Sequence, residues 1–361
     1  MKVLFLTKYY YEGPSSRYRS YNYKSFFENE NIEVTYKPLF FDGYVTKLYK
    51  KERNSKIKVL YSFIKRFIFL IFKAKNYDHL VIEKELFPYV PYWIEKILLS
   101  KKNYSLDFDD NPKYRYKKNK ILNFIFGDKI DLLVSKAKFV TVGNKWYYED
   151  FSNNHHFVYL PTVIDITKYN LSYKKQLKKS KDIRIVWIGS PSGERNIEKI
   201  SNVLKNLSKK YPYIILTLIG SNLSIEGVNT ENIKWSEENE VKKLMESNIG
   251  IMPLEDGYWE KGKCGFKLIQ YMACELPVIA SDVSANKEII DNSKNGFLAT
   301  SEEEWFKYLE ILINDEQLRN SMGTLGRKKI EEKYSYQVVY KEYINAIRSK
   351  SGDNWYTVTS L

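Results

Sequence analysis

The most distinctive stretch of this chain is KCGFKLIQYMACELPVIASD, Lys263 to Asp282. Two lysines flank a Cys-Gly-Phe step, and an apolar run with the spacing of a short buried helix follows. A glycine at a helix entrance lets a phosphate approach free backbone N–H groups, and the helix dipole favours negative charge at that end. Together with the point charges of Lys263 and Lys267, this arrangement is suited to a diphosphate. Turn glycines beside solvated lysines are the alternative explanation.

A second phosphate-binding candidate is WIGSPSGERN, which lies at the end of an apolar run. The segment lacks the full G-x-G-x-x-G fingerprint, so it gives weak support to a dinucleotide site, and a plain strand–helix turn is the alternative. This segment could bind phosphate through backbone N–H groups, two serine hydroxyls and one guanidinium. The residues concerned are Gly189, Ser190, Ser192, Gly193 and Arg195.

Short apolar runs separated by helical segments indicate how these residues are positioned. The first series begins at KVLFLT, Lys2 to Thr7, and continues with runs near Val81 and Phe108. A polar, basic segment follows over 159–181, and the series then restarts at IRIVWIGS. Strands that alternate with helices predict parallel sheets covered on both faces, with ligands beyond the carboxyl ends of the strands.

This organisation predicts two successive doubly wound α/β domains, with the ligand site in the cleft between them. The predicted domains are 1–165 and 183–335, joined by a linker at 166–182. A C-terminal helix and tail occupy 336–361, and packing of this segment against the first domain is one option.

Composition restricts the class of protein and its partners. The chain has 361 residues, an apolar fraction of 43% and a formal charge of +14, which excludes a disordered protein and favours anionic partners. Those partners are nucleic acid, a phosphorylated small molecule or an anionic membrane surface. The two cysteines, Cys264 and Cys274, lack disulfide or zinc spacing, which favours the cytoplasm. We identify neither a signal peptide nor a membrane-spanning apolar stretch.

The signature that starts at Lys263 is completed by KEIIDNSKNGFLAT, Lys287 to Thr300, and resembles the donor site of group 1 glycosyl transferases. These are retaining enzymes with two facing Rossmann-like domains and an interdomain cleft, the GT-B type. The resemblance extends over about residues 1–345, with weaker similarities at GPSSRYRSYNY, DFDDNP and YLPTVID in the family's order. It implies a first domain on the acceptor side, a second that binds a nucleotide-diphosphate sugar, and no cofactor.

The resemblance also assigns roles within the second domain. The family's ribose-binding glutamate is replaced by Gln270, whose amide oxygen can still accept a hydrogen bond from a hydroxyl. The family's first glutamate falls on Gly262, and Glu260 is near enough to take its role as a catalytic carboxylate. The implied donor-binding residues are Gly189, Ser190, Ser192, Arg195, Lys263, Cys264, Gly265, Phe266, Lys267, Gln270 and Glu288.

Two departures from the family pattern concern charge and backbone. The family's Arg and Lys on the diphosphate fall on Ser190 and Arg195, so we infer that Lys263 or Lys267 supplies the missing charge. Glu275 stands where glycine usually ends the signature helix, and a left-handed backbone there would cost about 1 kcal/mol.

In the first domain, DFDD is similar to the metal-binding D-x-D of the other glycosyltransferase fold. A cationic phosphate site does not require a metal, so we predict none. We interpret Asp109 and Asp110 as strand-end residues that contact acceptor or sugar and serve in catalysis, with helix capping as the alternative. Arg17 and Arg19 follow the loop after the first strand, where we expect contact with a phosphate of donor or acceptor; a solvated helix face is the alternative.

A basic apolar segment, KIKVLYSFIKRFIFLIFKAK, runs from Lys56 to Lys75. Its pattern is typical of an interfacial helix on anionic lipid, and a core helix with a solvated basic edge is an equally weighted alternative. A lipid-linked acceptor would explain the first alternative. The predicted polar face consists of Lys58, Ser62, Lys65, Arg66 and Lys73.

We therefore expect a metal-independent, retaining glycosyltransferase that acts in cell-surface polysaccharide or glycolipid synthesis, in the cytoplasm or at the inner face of the cell membrane. Its expected partners are a nucleotide sugar, a glycan or lipid-linked acceptor and, through 56–75, an anionic membrane surface, but not nucleic acid. The alternatives are a nucleotide-sugar epimerase or hydrolase on the same scaffold and a basic nucleic-acid-binding protein. Motifs on strand–helix turns, rather than on one continuous basic and aromatic face, favour a nucleotide site.

Overall fold

The computed structural model describes residues 1–50, 52–151, 157–177 and 180–349. The chain divides into two compact units. Unit 1 contains residues 1–162 and the chain from Val339 onwards, and unit 2 contains residues 163–338. The tail predicted beyond 349 lies outside the described residues.

Unit 1 is built on six parallel strands in the order β2-β1-β3-β4-β5-β6. The strands are β1 Lys2–Leu6, β2 Glu33–Tyr36, β3 His79–Glu83, β4 Tyr104–Phe108, β5 Val140–Val142 and β6 Phe157–Tyr159. The helices are α1 Pro14–Arg19, α2 Lys24–Asn29, α3 Tyr44–Tyr49, α4 Lys56–Phe72, α5 Tyr92–Leu99, α6 Tyr114–Lys117, α7 Lys120–Phe126, α8 Lys129–Val134 and α9 Tyr147–Asp150.

Helices cover both faces of this sheet because successive strand residues point to opposite sides. On one face, Phe5 of β1 contacts Phe27 of α2, with ring centroids 5.5 Å apart. The other face carries a continuous core that includes Leu4, Leu80 and Leu106 of the strands and Leu70, Leu98, Phe126 and Ile130 of α4, α5, α7 and α8. These four helices therefore form one layer.

Unit 2 repeats the architecture with six parallel strands in the order β12-β11-β10-β7-β8-β9. The strands are β7 Ile183–Ile188, β8 Ile214–Ile219, β9 Thr230–Ile233, β10 Ile249–Met252, β11 Val278–Ser281 and β12 Gly296–Ala299. The helices are α10 Ser172–Gln176, α11 Glu194–Glu198, α12 Ser201–Lys210, α13 Glu240–Met245, α14 Tyr258–Lys261, α15 Phe266–Ala273, α16 Ala285–Ile289, α17 Glu302–Asn314 and α18 Glu316–Lys333; α19, Tyr336–Arg348, continues into unit 1.

Strand order determines where ligands bind. In unit 1 the chain runs from β1 to β2 on one side and then returns to β3 on the other, so the order reverses between β1 and β3. In unit 2 the same reversal lies between β7 and β10. In open parallel sheets, the carboxyl ends of the two strands at such a reversal border the ligand crevice.

The predicted class of two doubly wound α/β domains is confirmed, since both sheets are parallel and interleaved with helices. After β1, the helices α1 and α2 are short and are separated by a 3₁₀ turn at Tyr21–Tyr23. Within the segment predicted as a linker, α10 belongs to unit 2, where the Lys174 ammonium donates to the carbonyl of Glu275 at 2.9 Å.

Helix α4 orients its polar residues differently from the prediction. Ser62 and Arg66, assigned to a solvated basic face, are buried, whereas Lys58, Lys65 and Lys73 are exposed. The prediction was therefore wrong for Ser62 and Arg66, because these side chains face the sheet. No helix in the described parts of the chain has both the length and the apolar character needed to cross a membrane.

Candidate functional site

Helix α15, which carries the signature, is held against β7 by Tyr271. The Tyr271 hydroxyl accepts a hydrogen bond from the Ile188 N–H at 2.9 Å. Its ring packs where Gly250 lacks a side chain, since a Cβ there would lie 2.5 Å from the ring. Lys267 precedes Tyr271 by one helical turn and so lies on the same face, above the end of β7. The Lys267 ammonium is 4.5 Å from the centre of the Trp187 ring.

Gly189, directly after β7, leaves room for this lysine. A Cβ at Gly189 would lie 2.5 Å from the Trp187 ring and 3.2 Å from Cε of Lys267. Burial, and then the positive charge of Lys263, lower the pKa of Lys267 to about 7. The structure thus brings Gly189, Lys263 and Lys267 together at the carboxyl end of β7, beside the reversal of strand order.

The helix entrance is formed by Gly265, as the sequence predicts. Gly265 is the N-cap of α15 and has a positive φ of 66°. A Cβ at this position would also lie 2.3 Å from Cδ1 of Ile289, so a larger residue is excluded on two grounds. Cys264 and Phe266, on either side, are half-buried.

Arg195 and Glu260, two predicted site residues, form an ion pair with Nη2 and Oε1 2.5 Å apart. Glu260 is only 3% exposed, whereas the side chain of Arg195 is 51% exposed. Each charge is therefore partly neutralised by its partner. The hydroxyls of Ser190 and Ser192 lie 2.9 Å from each other on the adjacent turn.

In the structure, Gln270 and Glu288 contact other residues of unit 2. Gln270 is buried, and its Nε2 lies 3.4 Å from both the Tyr169 hydroxyl and Oε1 of Glu240. Glu288 is half-buried on α16, where its backbone carbonyl accepts from the Lys329 ammonium at 2.9 Å.

Ser284 supports the site and was missed by the sequence analysis. It has φ 45° and ψ −123°, a region that non-glycine residues rarely occupy, and it precedes α16. Its hydroxyl donates to the carbonyl of Lys261 at 2.6 Å, which fixes the turn ahead of the signature. A serine before a helix is a common capping signal, but this unusual backbone has no signature in the sequence.

In unit 1, the two predicted acidic residues bind a lysine. The Lys84 ammonium lies 2.9 Å from Oδ1 of Asp109 and 2.5 Å from Oδ1 of Asp110. Burial raises the pKa of Asp109, but the charge and hydrogen bond of Lys84, together with the charges of Arg19 and Lys8, lower the pKa overall. The two carboxylates and Lys84 thus form an ion-pair cluster at the carboxyl end of β4.

Glu83, at the end of β3, was also missed. Its carboxylate accepts hydrogen bonds from the hydroxyls of Ser15 and Ser16, at 2.7 and 2.6 Å, and from the Lys8 N–H at 2.8 Å. Burial, and then the charge of Asp109, raise the pKa of Glu83. The available sequence signal was a Glu-Lys-Glu run directly after the buried strand. This group lies at the β1/β3 reversal, where a ligand is expected.

Arg17 and Arg19, predicted to contact a phosphate, are both buried. Arg19 is 1% exposed, and its guanidinium donates to Asp107 and to the carbonyl of Leu160, so this residue supports the fold and its predicted phosphate contact is wrong. Arg17 has its guanidinium over the ring of Tyr18 at 5.0 Å, and its phosphate contact stays a prediction. Among the described residues, no three His, Cys, Asp or Glu side chains are grouped to hold a metal ion.

Comparison with known proteins identifies a family match in unit 2. Residues 170–329 match the model for glycosyl transferases group 1. The chain is 25% identical over 248 residues to the capsular polysaccharide biosynthesis glycosyltransferase CapM of Staphylococcus aureus, with 63% of each chain covered. It is 27% identical over 221 residues to a probable sucrose-phosphate synthase of Thermosipho melanesiensis, covering 58% of this chain and 46% of that protein. The chain thus spans less than two thirds of either relative.

Solved structures show the same fold over nearly the whole chain. A sucrose-phosphate synthase from Thermosynechococcus elongatus has a TM-score of 0.71 at 13% identity, covering 96% of this chain and 98% of that chain. HepE of Anabaena, solved in complex with UDP, has a TM-score of 0.67 at 13% identity, covering 96% and 99%. These likenesses confirm the GT-B fold class with two Rossmann-like domains.

Proposed function

We propose that this chain, whose residues 170–329 match the model for glycosyl transferases group 1, transfers a sugar from a nucleoside-diphosphate sugar to an acceptor hydroxyl. The observation that carries the proposal is the pair of lysines beside Gly189 and the entrance of α15, at the strand-order reversal of unit 2. The binding of UDP by HepE, a protein of the same fold, supports a nucleotide sugar as donor.

Lys263 and Lys267 stabilise the diphosphate as it departs, together with the N–H groups at the entrance of α15, next to Gly265. Preorganised donors aimed at developing charge act more strongly in a site shielded from water than in solution. The serine hydroxyls and Arg195 complete the phosphate site. Arg195 attracts the phosphate less strongly than an unpaired arginine would, because it also forms an ion pair with Glu260.

The remaining donor residues bind the nucleoside and sugar. Gln270 takes the ribose role of the family's glutamate, and Glu288 contacts the donor. In this assignment, Glu260 is the carboxylate nearest the diphosphate, whereas Asp109 and Asp110 act on the acceptor or sugar from unit 1. Lys84 pairs with both aspartates and helps to lower the pKa of Asp109, which favours the ionised form that a carboxylate needs to accept a proton from an acceptor hydroxyl.

The proposal also covers the stereochemistry of transfer, the biosynthetic pathway and the cellular location. The transfer retains anomeric configuration and needs neither a metal nor another cofactor. The acceptor is a glycan or a lipid-linked glycan in cell-surface polysaccharide or glycolipid synthesis, at the inner face of the cell membrane, with residues 56–75 on an anionic surface. The relative in capsular polysaccharide biosynthesis supports this class of acceptor. The glycosyltransferase names of the matched relatives favour transfer over epimerisation, hydrolysis or nucleic-acid binding.

Thermal stabilisation by nucleotides tests the proposal. Because a ligand that binds only the folded state raises stability by mass action, UDP and other nucleoside diphosphates are screened against the full chain. At least one should raise the melting temperature, and Lys263→Ala or Lys267→Ala should remove about 1–3 kcal/mol of its binding free energy. Lys234→Ala, at an exposed lysine after β9, is the matched control. Unchanged affinity in both site variants would exclude the phosphate role.

A further inference from the structure

Helix α4 presents most of its large apolar residues to solvent, although two of its polar residues, Ser62 and Arg66, face the sheet. The exposed fraction reaches 80% at Ile57 and 65% at Tyr61, whereas Ser62 and Arg66 are buried. Ordinary packing of a surface helix buries the apolar stripe instead. The exposed large apolar residues of α4 are Ile57, Leu60, Tyr61, Ile64, Phe67, Ile68, Ile71 and Phe72.

Arg66 fixes this orientation. Its guanidinium donates to the carbonyls of Thr7 and Lys37, at 2.5 and 2.6 Å, and lies 3.4 Å from the carbonyl of Leu86. These carbonyls follow β1, β2 and β3, so Arg66 ties α4 to the carboxyl edge of the sheet. Because the arginine must face inwards, the apolar stripe faces outwards.

The neighbouring helices of the same layer extend this apolar surface. Phe124 of α7 is 91% exposed, and Trp93 and Ile97 of α5 and Ile121 and Ile125 of α7 are exposed as well. Among the described residues, unit 2 contributes only Tyr213 and Leu325 to the exposed large apolar side chains. The exposed apolar surface is thus concentrated on the layer α4, α5 and α7 of unit 1, and contiguous exposed patches mark interaction sites.

A cationic groove of about 570 Å³ lies between α4 and the chain at 37–42. Its walls are aromatic, including Tyr10, Phe41, Tyr61 and Phe69, and Asp42 is the one carboxylate among its lining residues. The cations that line it are Lys37, Lys58, Lys65 and Arg66.

Arg66 gives this groove a buried positive charge. Its guanidinium donates to backbone carbonyls, no described carboxylate forms a salt bridge with it, and its Nε has no hydrogen-bond partner within the described chain. Burial lowers its pKa. An anion in the groove would compensate a charge that desolvation disfavours.

We propose that unit 1 docks on an anionic lipid bilayer through the layer α4, α5 and α7, with a phosphate headgroup seated in this groove. The inference deepens the membrane partner of the proposed function and does not depend on sugar transfer. Charge favours lipid over a second copy of the chain, because 56–75 contains six Lys or Arg and no Asp or Glu, so two copies would bring like charges together. Aromatic rings flanked by lysines are typical of an interfacial surface.

The test is co-sedimentation of the full chain with vesicles of neutral phosphatidylcholine, alone or mixed with anionic phosphatidylglycerol. We expect binding to the anionic vesicles at low salt, little binding to neutral ones, and release in about 0.5 M salt because the Debye length shortens. Each lysine near an anionic leaflet contributes about fivefold in affinity, so Lys58→Glu with Lys65→Glu should lower it about 25-fold or more. Lys209→Glu with Lys234→Glu, the same charge change on unit 2, should retain most of the binding.

A second variant separates the apolar surface from charge. Leu60→Ser with Ile64→Ser and Ile68→Ser changes exposed side chains of one stripe, so folding should persist, and vesicle binding should fall at unchanged charge. UDP binding should be equal in all variants, which distinguishes failed docking from failure of the donor site.

Three results would overturn the inference. These are equal pelleting with neutral and anionic vesicles, wild-type binding by the Lys58/Lys65 variant, and a dimer in solution that the serine variant dissociates. Inorganic phosphate at millimolar concentration and short-chain phosphatidylglycerol are added as competitors. Competition by phosphate alone would assign the groove to a free phosphate and exclude the lipid headgroup.

Discussion

At the level of single residues, the protonation of Lys267 should make ligand binding at the proposed donor site depend on pH. Its pKa is lowered from 10.5 to about 7 by burial and by Lys263. Between those values the folded protein binds fewer protons here than the unfolded chain, so this lysine's contribution to the free energy of unfolding increases with pH across the window. A diphosphate needs the protonated form, so its affinity should fall as pH rises above about 7.

Calorimetric titration with UDP from pH 6 to pH 9 measures this effect. The wild type should lose up to about tenfold in affinity per pH unit above pH 7, relative to Lys267→Arg. The arginine stays charged throughout, so the comparison cancels the titration of UDP itself. Parallel pH profiles for the two proteins would show that Lys267 is not the titrating group.

Glu275 adopts the left-handed backbone considered from the sequence, with φ 53°. Only glycine adopts this conformation without a steric cost, so Glu275→Gly should raise the free energy of unfolding by about 1 kcal/mol. Chemical denaturation measures the change. Glu198→Gly, at a helical position of α11, is the matched control and should lower stability by about 1 kcal/mol. If both variants raise, or both lower, the free energy of unfolding, the backbone explanation is contradicted.

At the level of elements, the hydroxyl of Tyr271 determines how α15 sits on β7. Tyr271→Phe leaves the buried Ile188 N–H without its acceptor, which should cost about 1–3 kcal/mol of stability. Because Lys267 lies one turn away on the same helix, nucleoside-diphosphate affinity should fall as well.

The control for Tyr271→Phe is Tyr213→Phe, at a tyrosine that is 39% exposed. Denaturation and UDP titration are compared for both variants. A loss of stability in Tyr271→Phe without any loss of UDP affinity would show that α15 does not position the phosphate-binding lysine.

At the level of the whole molecule, the proposed transfer depends on cations of the protein. Sugar transfer should therefore continue in the presence of a chelator, since lysines and N–H groups compensate the charge of the diphosphate. The measurement is release of nucleoside diphosphate from the nucleotide sugar with the purified chain, before and after EDTA. Loss of turnover that magnesium or manganese restores would make Asp109 and Asp110 candidates for a metal site.

The sequence by itself determined several strands, since the apolar runs at Lys2, Val81, Phe108 and Ile183 correspond to β1, β3, β4 and β7, and it determined the glycine at the entrance of α15. Buried parallel strands are continuous apolar runs, and Gly265 is required by a local positive φ, so both features can be predicted from neighbouring residues in the sequence.

The tertiary structure alone decided which charges meet and which helix face points inwards. Arg19 pairs with Asp107 across 88 residues, and Lys84 meets Asp109 because β3 and β4 are neighbours in the sheet. In α4, Ser62 and Arg66 face inwards with Leu70, because Arg66 binds carbonyls that only strand order brings together. Such pairings depend on the topology of the sheet, which a local sequence pattern does not specify.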